Sequence, residues 1–140
     1  MIPAVKSIFL HKCPRCLEGD LFPDKNSYNL KQTAVMNMRC PECDLNLWPE
    51  PGYYYGAMYV SYAFTIALGV GVFILHYLIH AKVEAWWYIL ELTLALLIAA
   101  PYTFRTSRAI WLNFFNKYRP EIRRQVLDVK KISVANRPSL

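Results

Sequence analysis

The four cysteines are the residues whose type and spacing most clearly carry chemistry. They stand in two Cys-x-x-Cys pairs, Cys13-Pro14-Arg15-Cys16 and Cys40-Pro41-Glu42-Cys43, separated by 23 residues. Each short turn aims two sulfurs at one point, and two such turns complete a tetrahedron, so the spacing is a strong signature of one bound metal ion. Proline after the first cysteine stiffens each turn. Four thiolates close the coordination sphere and leave no position for a reactive water, which makes the expected site structural. Zinc is the expected ion, and iron ranks behind it because tetrahedral sulfur ligation suits either metal. Disulfides or a thioredoxin-like redox pair rank lower still, since a cytoplasmic setting works against stable disulfides. Neither pair is followed by His, as covalent haem attachment requires. His11 is expected to be solvated or to stand behind the ligands.

A second group of ionisable residues lies further along the chain. His76 and His80 are one helical turn apart, and Glu84 and Glu91 follow. A second metal site or a proton relay is one reading, because ionisable residues inside a membrane are functional hypotheses by default. The plainer reading places His80 and Glu84 in a loop and lets His76 and Glu91 reach an interface. Elsewhere the chain offers no nucleophile–base pair and no close carboxylate pair. Its five glycines are too scattered for a phosphate-cradling loop. No catalytic activity is expected.

The elements that must position these residues follow from hydrophobicity and charge. From Pro51 to Ala81 there is no Asp, Glu, Lys or Arg, and a second apolar run from Ala85 to Phe104 carries only Glu91. About 20 helical residues cross a hydrocarbon core about 30 Å thick. Spans at about 57–79 and 86–104 meet that length, and the short connection between them predicts an antiparallel hairpin over residues 52–104. Interfacial aromatics stand at the span ends: Tyr53, Tyr54 and Tyr55, then Trp86 and Trp87, then Trp111 near Arg105 and Arg108. Small residues recur four apart, as Ala63, Ala67 and Gly71 on one span and Ala95 and Ala99 on the other. This predicts close packing of Gly71 on Ala95 and Ala67 on Ala99 about a turn near Val83, or else a seam between two copies of the chain. On this register His76 points away from the contact.

Residues 1–51 form the cysteine-bearing head, in which six Lys/Arg balance six Asp/Glu. So few residues rarely hold a core without a metal. Its apolar residues are Leu17, Leu21, Phe22, Leu30, Val35, Met36, Met38, Leu45, Leu47 and Trp48, and Asn26, Asn29 and Asn37 predict turns between short strands. The expected fold is a small zinc ribbon of short β-strands, followed by the α-helical transmembrane hairpin and a basic amphipathic tail helix. That tail, residues 105–140, holds nine Lys/Arg against Glu121 and Asp128. Ile110, Trp111, Phe114, Phe115 and Tyr118 fall at helical spacing among basic residues, which predicts a helix over 105–119 lying along the membrane face; the alternative is a helix packed on the head. Pro120 is expected to end it, and Ser133 to Leu140 to be disordered. Basic residues flank the hairpin, and its connection carries only Lys82. The positive-inside rule then predicts both termini in the cytoplasm. The stretch from Ser7 to Leu10 is too short for a signal-peptide core.

Taken together, CPRC followed by LEGDLF, then RCPEC, then EPGYYYGAMYVSYA resembles the bacterial family called domain of unknown function 983, in its Bacteroidetes-type form. The resemblance runs from about Ser7 to Arg119. Family members often have Gly directly after each cysteine pair, where this chain has Leu17 and Asp44. The resemblance implies a multi-pass protein of the bacterial inner membrane and brings no established activity. Some members sit near genes for respiratory oxidase assembly. The expected function is therefore a membrane-anchored zinc-ribbon docking or assembly protein. Its partners would be the lipid bilayer and another membrane protein or assembly complex, or a second copy of itself, and no nucleic acid. The alternative is a metal-handling or thiol-redox factor in biogenesis of a membrane metalloenzyme such as a respiratory oxidase.

Overall fold

A computed structural model describes residues 3–80 and 84–135. Helix α1 covers Pro3–Phe9, α2 Tyr55–His80, α3 Ala85–Phe115 and α4 Pro120–Ala135. Helices α2 and α3 are apolar, free of breaks and 26 and 31 residues long. At about 1.5 Å per residue they measure roughly 39 and 46 Å, and both are long and apolar enough to cross a membrane. Their outer surfaces are apolar and exposed, as at Tyr59, Tyr62, Leu78, Leu97 and Ile98.

The two helices pack antiparallel. The Ser61 hydroxyl donates to Ser107 Oγ at 2.8 Å near one end, and His76 Nδ1 meets Glu91 Oε2 at 2.8 Å near the other. These partners bracket the expected register, although the turn predicted near Val83 lies outside the described residues. The face of α2 differs from the expected one. Ala63, Ala67 and Gly71 are exposed, and a Cβ built on Gly71 would meet nothing within 4 Å. The stripe turned inward instead passes through the half-buried Leu68, Gly69 and Val72 between the buried Ala57 and His76. A Cβ at Gly69 would touch Leu92 Cδ1 at 3.8 Å. Side chains large enough to interdigitate, together with two polar pairs, hold the contact, so His76 faces the partner helix.

The head carries no strand among the described residues. Two isolated antiparallel bridges, Lys12 with Asp20 and Arg39 with Asn46, close two loops. Of the expected asparagine turns, those at Asn26 and Asn29 are present, with Asn26 N–H donating to Asp24 Oδ1 at 2.8 Å and Tyr28 N–H to Asn26 Oδ1 at 3.0 Å, whereas Asn37 makes no turn and its N–H donates to Leu21 O at 3.0 Å. Side chains that bond their own backbone divert it from a ladder, and the segment between the cysteine pairs stays irregular.

The division into head, hairpin and tail also differs from the expected one. No break marks Phe104; α3 runs on to Phe115, and its last turns enter the head. Cys13, Cys16, Leu21, Phe22, Met36, Cys40, Leu47, Tyr54, Ala57, Ala109, Leu112 and Val126 form one buried cluster. Ala109 and Leu112 are therefore part of the head's core. Helix α1, unforeseen in the sequence, packs on the same stretch through Ser7, whose Oγ accepts from Asn113 Nδ2 at 3.0 Å. Pro120 opens a helix, α4, instead of closing one: it suits the first turn, where its missing N–H is not needed. Ser133, expected in a disordered tail, lies within α4, while residues 136–140 lie outside the described residues.

Candidate metal centre

Each cysteine pair sits in a turn of the same design. Cys13 N–H donates to Gly19 O at 2.8 Å and Leu17 N–H to Cys13 O at 2.9 Å. In the second turn Cys40 N–H donates to Leu45 O at 2.9 Å and Asp44 N–H to Cys40 O at 3.0 Å. The residue after each pair must turn the chain back, and it does so in the left-handed region: φ is 61° at Leu17 and 54° at Asp44. These are the two positions where Gly is common in the family that the sequence resembles. Asp44 also pairs with Arg39 at 2.8 Å, and Lys12 with Asp20 at 2.6 Å, each across its own bridge.

The two turns face one another. Cys13 Sγ lies 3.7 Å from Cys43 Sγ, and Cys16 Sγ lies 3.8 Å from Cys40 Sγ, so each close pair takes one sulfur from each turn. All four sulfurs fall within 4.8 Å of one another. A disulfide would need about 2.05 Å. Tetrahedral metal–sulfur bonds of about 2.3 Å place sulfurs about 3.8 Å apart. The residues present thus fit one four-coordinate ion. Cys13, Cys16 and Cys40 are buried and Cys43 half-buried. Backbone N–H groups of Glu18 and Gly19 point at Cys16 sulfur and that of Leu45 at Cys43, as suits thiolates. Without a cation the four cannot all ionise. Burial pushes Cys43 up to about 12. Bonding to Cys16 and Cys40 raises Cys13, and bonding from Cys13 and Cys40 lowers Cys16. A divalent ion removes that restriction. Gly19 is required by space: a Cβ there would collide with Cys40 Sγ.

Helix α4 lies across this centre. Arg123 pairs with Glu18 at 3.0 Å, Lys130 with Glu42 at 2.7 Å, and Arg119 N–H donates to Arg15 O at 3.1 Å. Ile122, Val126 and Val129 face Arg15, Glu42 and Cys43 across a cavity of about 380 Å³. The spacing of those three apolar residues, four then three apart, and the Pro120-Glu121 start are a helix signal legible in the sequence.

The residues expected at a lipid interface divide. Trp86 and Trp87 are exposed at the start of α3, 83% and 58%. Arg105, Arg108 and Trp111 instead engage the head. Arg105 is 1% exposed; its Nη1 donates to Asp24 O at 2.7 Å, its Nη2 to Gln32 O at 3.2 Å and its Nε to Thr33 O at 3.4 Å. Its guanidinium stacks 4.7 Å from the Phe22 ring. Arg108 donates to Ala34 O at 3.3 Å and lies against Phe104 and Tyr54, and Trp111 Nε1 donates to Tyr53 O at 2.7 Å. The reason is accounting of backbone groups: an irregular segment leaves carbonyls without ladder partners, and buried ones need donors. The helix expected over 105–119 is thus the last part of α3, which ends at Phe115 and packs on the head. The His11 side chain packs against α3 and not against a cysteine, with Nε2 3.2 Å from Thr106 Oγ1; burial, then the Arg105 charge, hold its pKa below the usual value. At the far end of the hairpin, His76, His80 and Glu91 come together.

Fold and site define a class: an apolar two-helix hairpin carrying a head whose four converging cysteines could hold a metal ion. The chain belongs to the family described as "Protein of unknown function (DUF983)", whose model matches residues 31–115. That match spans the second cysteine pair, the hairpin and the part of α3 that enters the head. No curated protein and no solved structure matches the chain.

Proposed function

We propose that this protein is a membrane-anchored docking module whose head is held in shape by one structural zinc ion on Cys13, Cys16, Cys40 and Cys43. The observation that carries the reading is the closed, largely buried set of four sulfurs at tetrahedral spacing, set in a core shared with α3. An ion so enclosed has no open position for chemistry. Its contribution is to fold a head that has no strands to hold it, and metal affinity becomes folding free energy. The hairpin anchors that head in the bacterial inner membrane with both termini in the cytoplasm, as the excess of basic residues outside the hairpin supports. The partner is another membrane protein or an assembly complex. Exposed apolar side chains on the head, such as Leu30 and Met38, and Phe114 and Phe115 at the end of α3, are surfaces such a partner can use.

Metal lability tests the reading against a metal carrier. Purified protein should contain about one equivalent of zinc, retain it against a chelator of moderate affinity, and lose head structure when a stronger one removes it. Exchange with the moderate chelator while the head stays folded would assign the cysteines to metal transfer. Topology is tested by Glu84→Cys, which should react with an impermeant thiol reagent outside intact cells while the native cysteines do not.

A further inference from the structure

We propose that the end of the hairpin far from the head is a second metal site, taking a divalent transition-metal ion on His76, His80 and Glu91. His76 is buried to 1% exposure in an otherwise apolar hairpin, and its Nε2 has no hydrogen-bond partner among the described residues. A polar atom buried without a partner calls for an explanation, and ligation of an ion is one of the few available. Its other nitrogen, Nδ1, lies 2.8 Å from Glu91 Oε2, and the second oxygen of the same carboxylate lies 3.7 Å from His80 Nε2. Each residue thus offers one ligand atom within 4.8 Å of the others. Nitrogen and oxygen ligands at about 2.1 Å from a tetrahedral ion stand about 3.4 Å apart. The 2.8 and 3.7 Å separations fall either side of that value but run from His76 Nδ1 and His80 Nε2 to the two different oxygens of Glu91, so an ion either replaces the His76–Glu91 hydrogen bond or is met by a turn of the His76 ring that presents Nε2.

The arrangement exceeds what a helix-to-helix ion pair needs. Glu91 and His76 alone would make one. His80 adds a second imidazole on the same carboxylate, its ring 4.8 Å from that of His76 and inclined at 40°. Two imidazoles and a carboxylate suit zinc, copper, iron or nickel, and three protein ligands leave a coordination position open. That position has room: a cavity of about 460 Å³ is lined by His76, His80, Glu84, Trp87 and Glu91. Cavity access and an incomplete ligand set make this an exchanging site, unlike the closed four-sulfur centre. From Tyr55 to His76 is about 30 Å of helix, so the two sites stand at opposite ends of the hairpin and do not share ligands.

The test uses the full chain in detergent, titrated with Co²⁺ and, separately, Zn²⁺. Two equivalents should bind. One gives cobalt the intense thiolate charge-transfer absorption, and the other, with nitrogen and oxygen ligands, does not. His80→Ala and Glu91→Gln should each weaken the second equivalent at least tenfold and leave the thiolate band unchanged. His80 is half-exposed and its removal leaves the helix contact intact, so helicity and the thiolate band report folding independently of the second site. Uptake of a single equivalent by the wild-type chain, or a second equivalent that survives both substitutions, would overturn the proposal. Loss of the thiolate band alone would count against the four-cysteine reading and leave this one standing.

Discussion

Replacing Arg105 tests whether the end of α3 holds the irregular part of the head. Arg105→Ala removes donors from the carbonyls of Asp24, Gln32 and Thr33. The two shorter bonds count about 1.5 kcal/mol each, the lower figure for a charged donor, and the 3.4 Å bond to Thr33 is left out. Stacking on Phe22 adds about 0.5–1 kcal/mol. The guanidinium is buried while its two acceptors lie on a half-buried and an exposed residue, so the loss is at most about 3–4 kcal/mol. Arg105→Lys keeps the charge but not the fork, and one ammonium serves one acceptor well, so about half the loss is expected. Local opening of residues 24–35 should rise accordingly. Amide hydrogen exchange in detergent reads this directly at Gln32, which donates to Asn29 O, and at Val35, which donates to Gln32 O. At about 1.4 kcal/mol per tenfold, exchange should speed by up to two to three orders of magnitude in the alanine variant and by up to about one in the lysine variant. The amides of Cys13 and Cys40, bonded within their own turns, should keep their rates, and the metal content should not change. Unchanged exchange at Gln32 and Val35 would refute the clamp. Equal acceleration at Cys13 and Cys40 would show that Arg105 supports the whole head and not this segment.

Gly19→Ala puts a methyl group into Cys40 Sγ and should lower the chelator concentration that strips the metal by at least about tenfold, the scale on which displaced metal-site geometry is felt. Asp44→Gly relieves a left-handed φ of 54° at an exposed position and should stabilise the head by about 1 kcal/mol, read as a rise of about 4–8 °C in its thermal midpoint. Leu17→Gly relieves the same strain but removes a buried leucine, worth about 2–5 kcal/mol, so its midpoint should fall. Val126→Asp places a charge in the face that α4 turns to Cys43 and should speed metal release to a chelator; an unchanged rate would mean that α4 does not cover the centre.

What was legible in the sequence was local. Cysteines three apart, in two pairs, serve a shared point, and two long apolar runs with Glu91 as their one charge read as helices in a nonpolar setting. The hairpin register followed from its short connection, whereas the helix face did not. Alanine and glycine spacing carries no phase information when side chains on the next stripe, Leu68, Val72 and His76, pack better. The strands were inferred from the habit of small metal-stapled heads, and the asparagines that marked the turns also took the backbone out of any ladder. Arg105 was misplaced for a different reason. Its acceptors lie over 70 residues earlier in the chain and are backbone carbonyls, which have no side-chain signature. A basic residue after an apolar run reads the same whether a phosphate or a carbonyl awaits it.

The unbroken run of α3 makes the anchor and the head one lever. A helix of about 46 Å that tilts by about 10° about its far end carries the metal centre sideways by about 8 Å. Tilt is how a long apolar helix adjusts to a bilayer of changing thickness, so in a bilayer a change in lipid composition or in a neighbouring helix becomes a displacement of the head. Pro101 removes one backbone hydrogen bond within α3 and marks where that lever yields most readily.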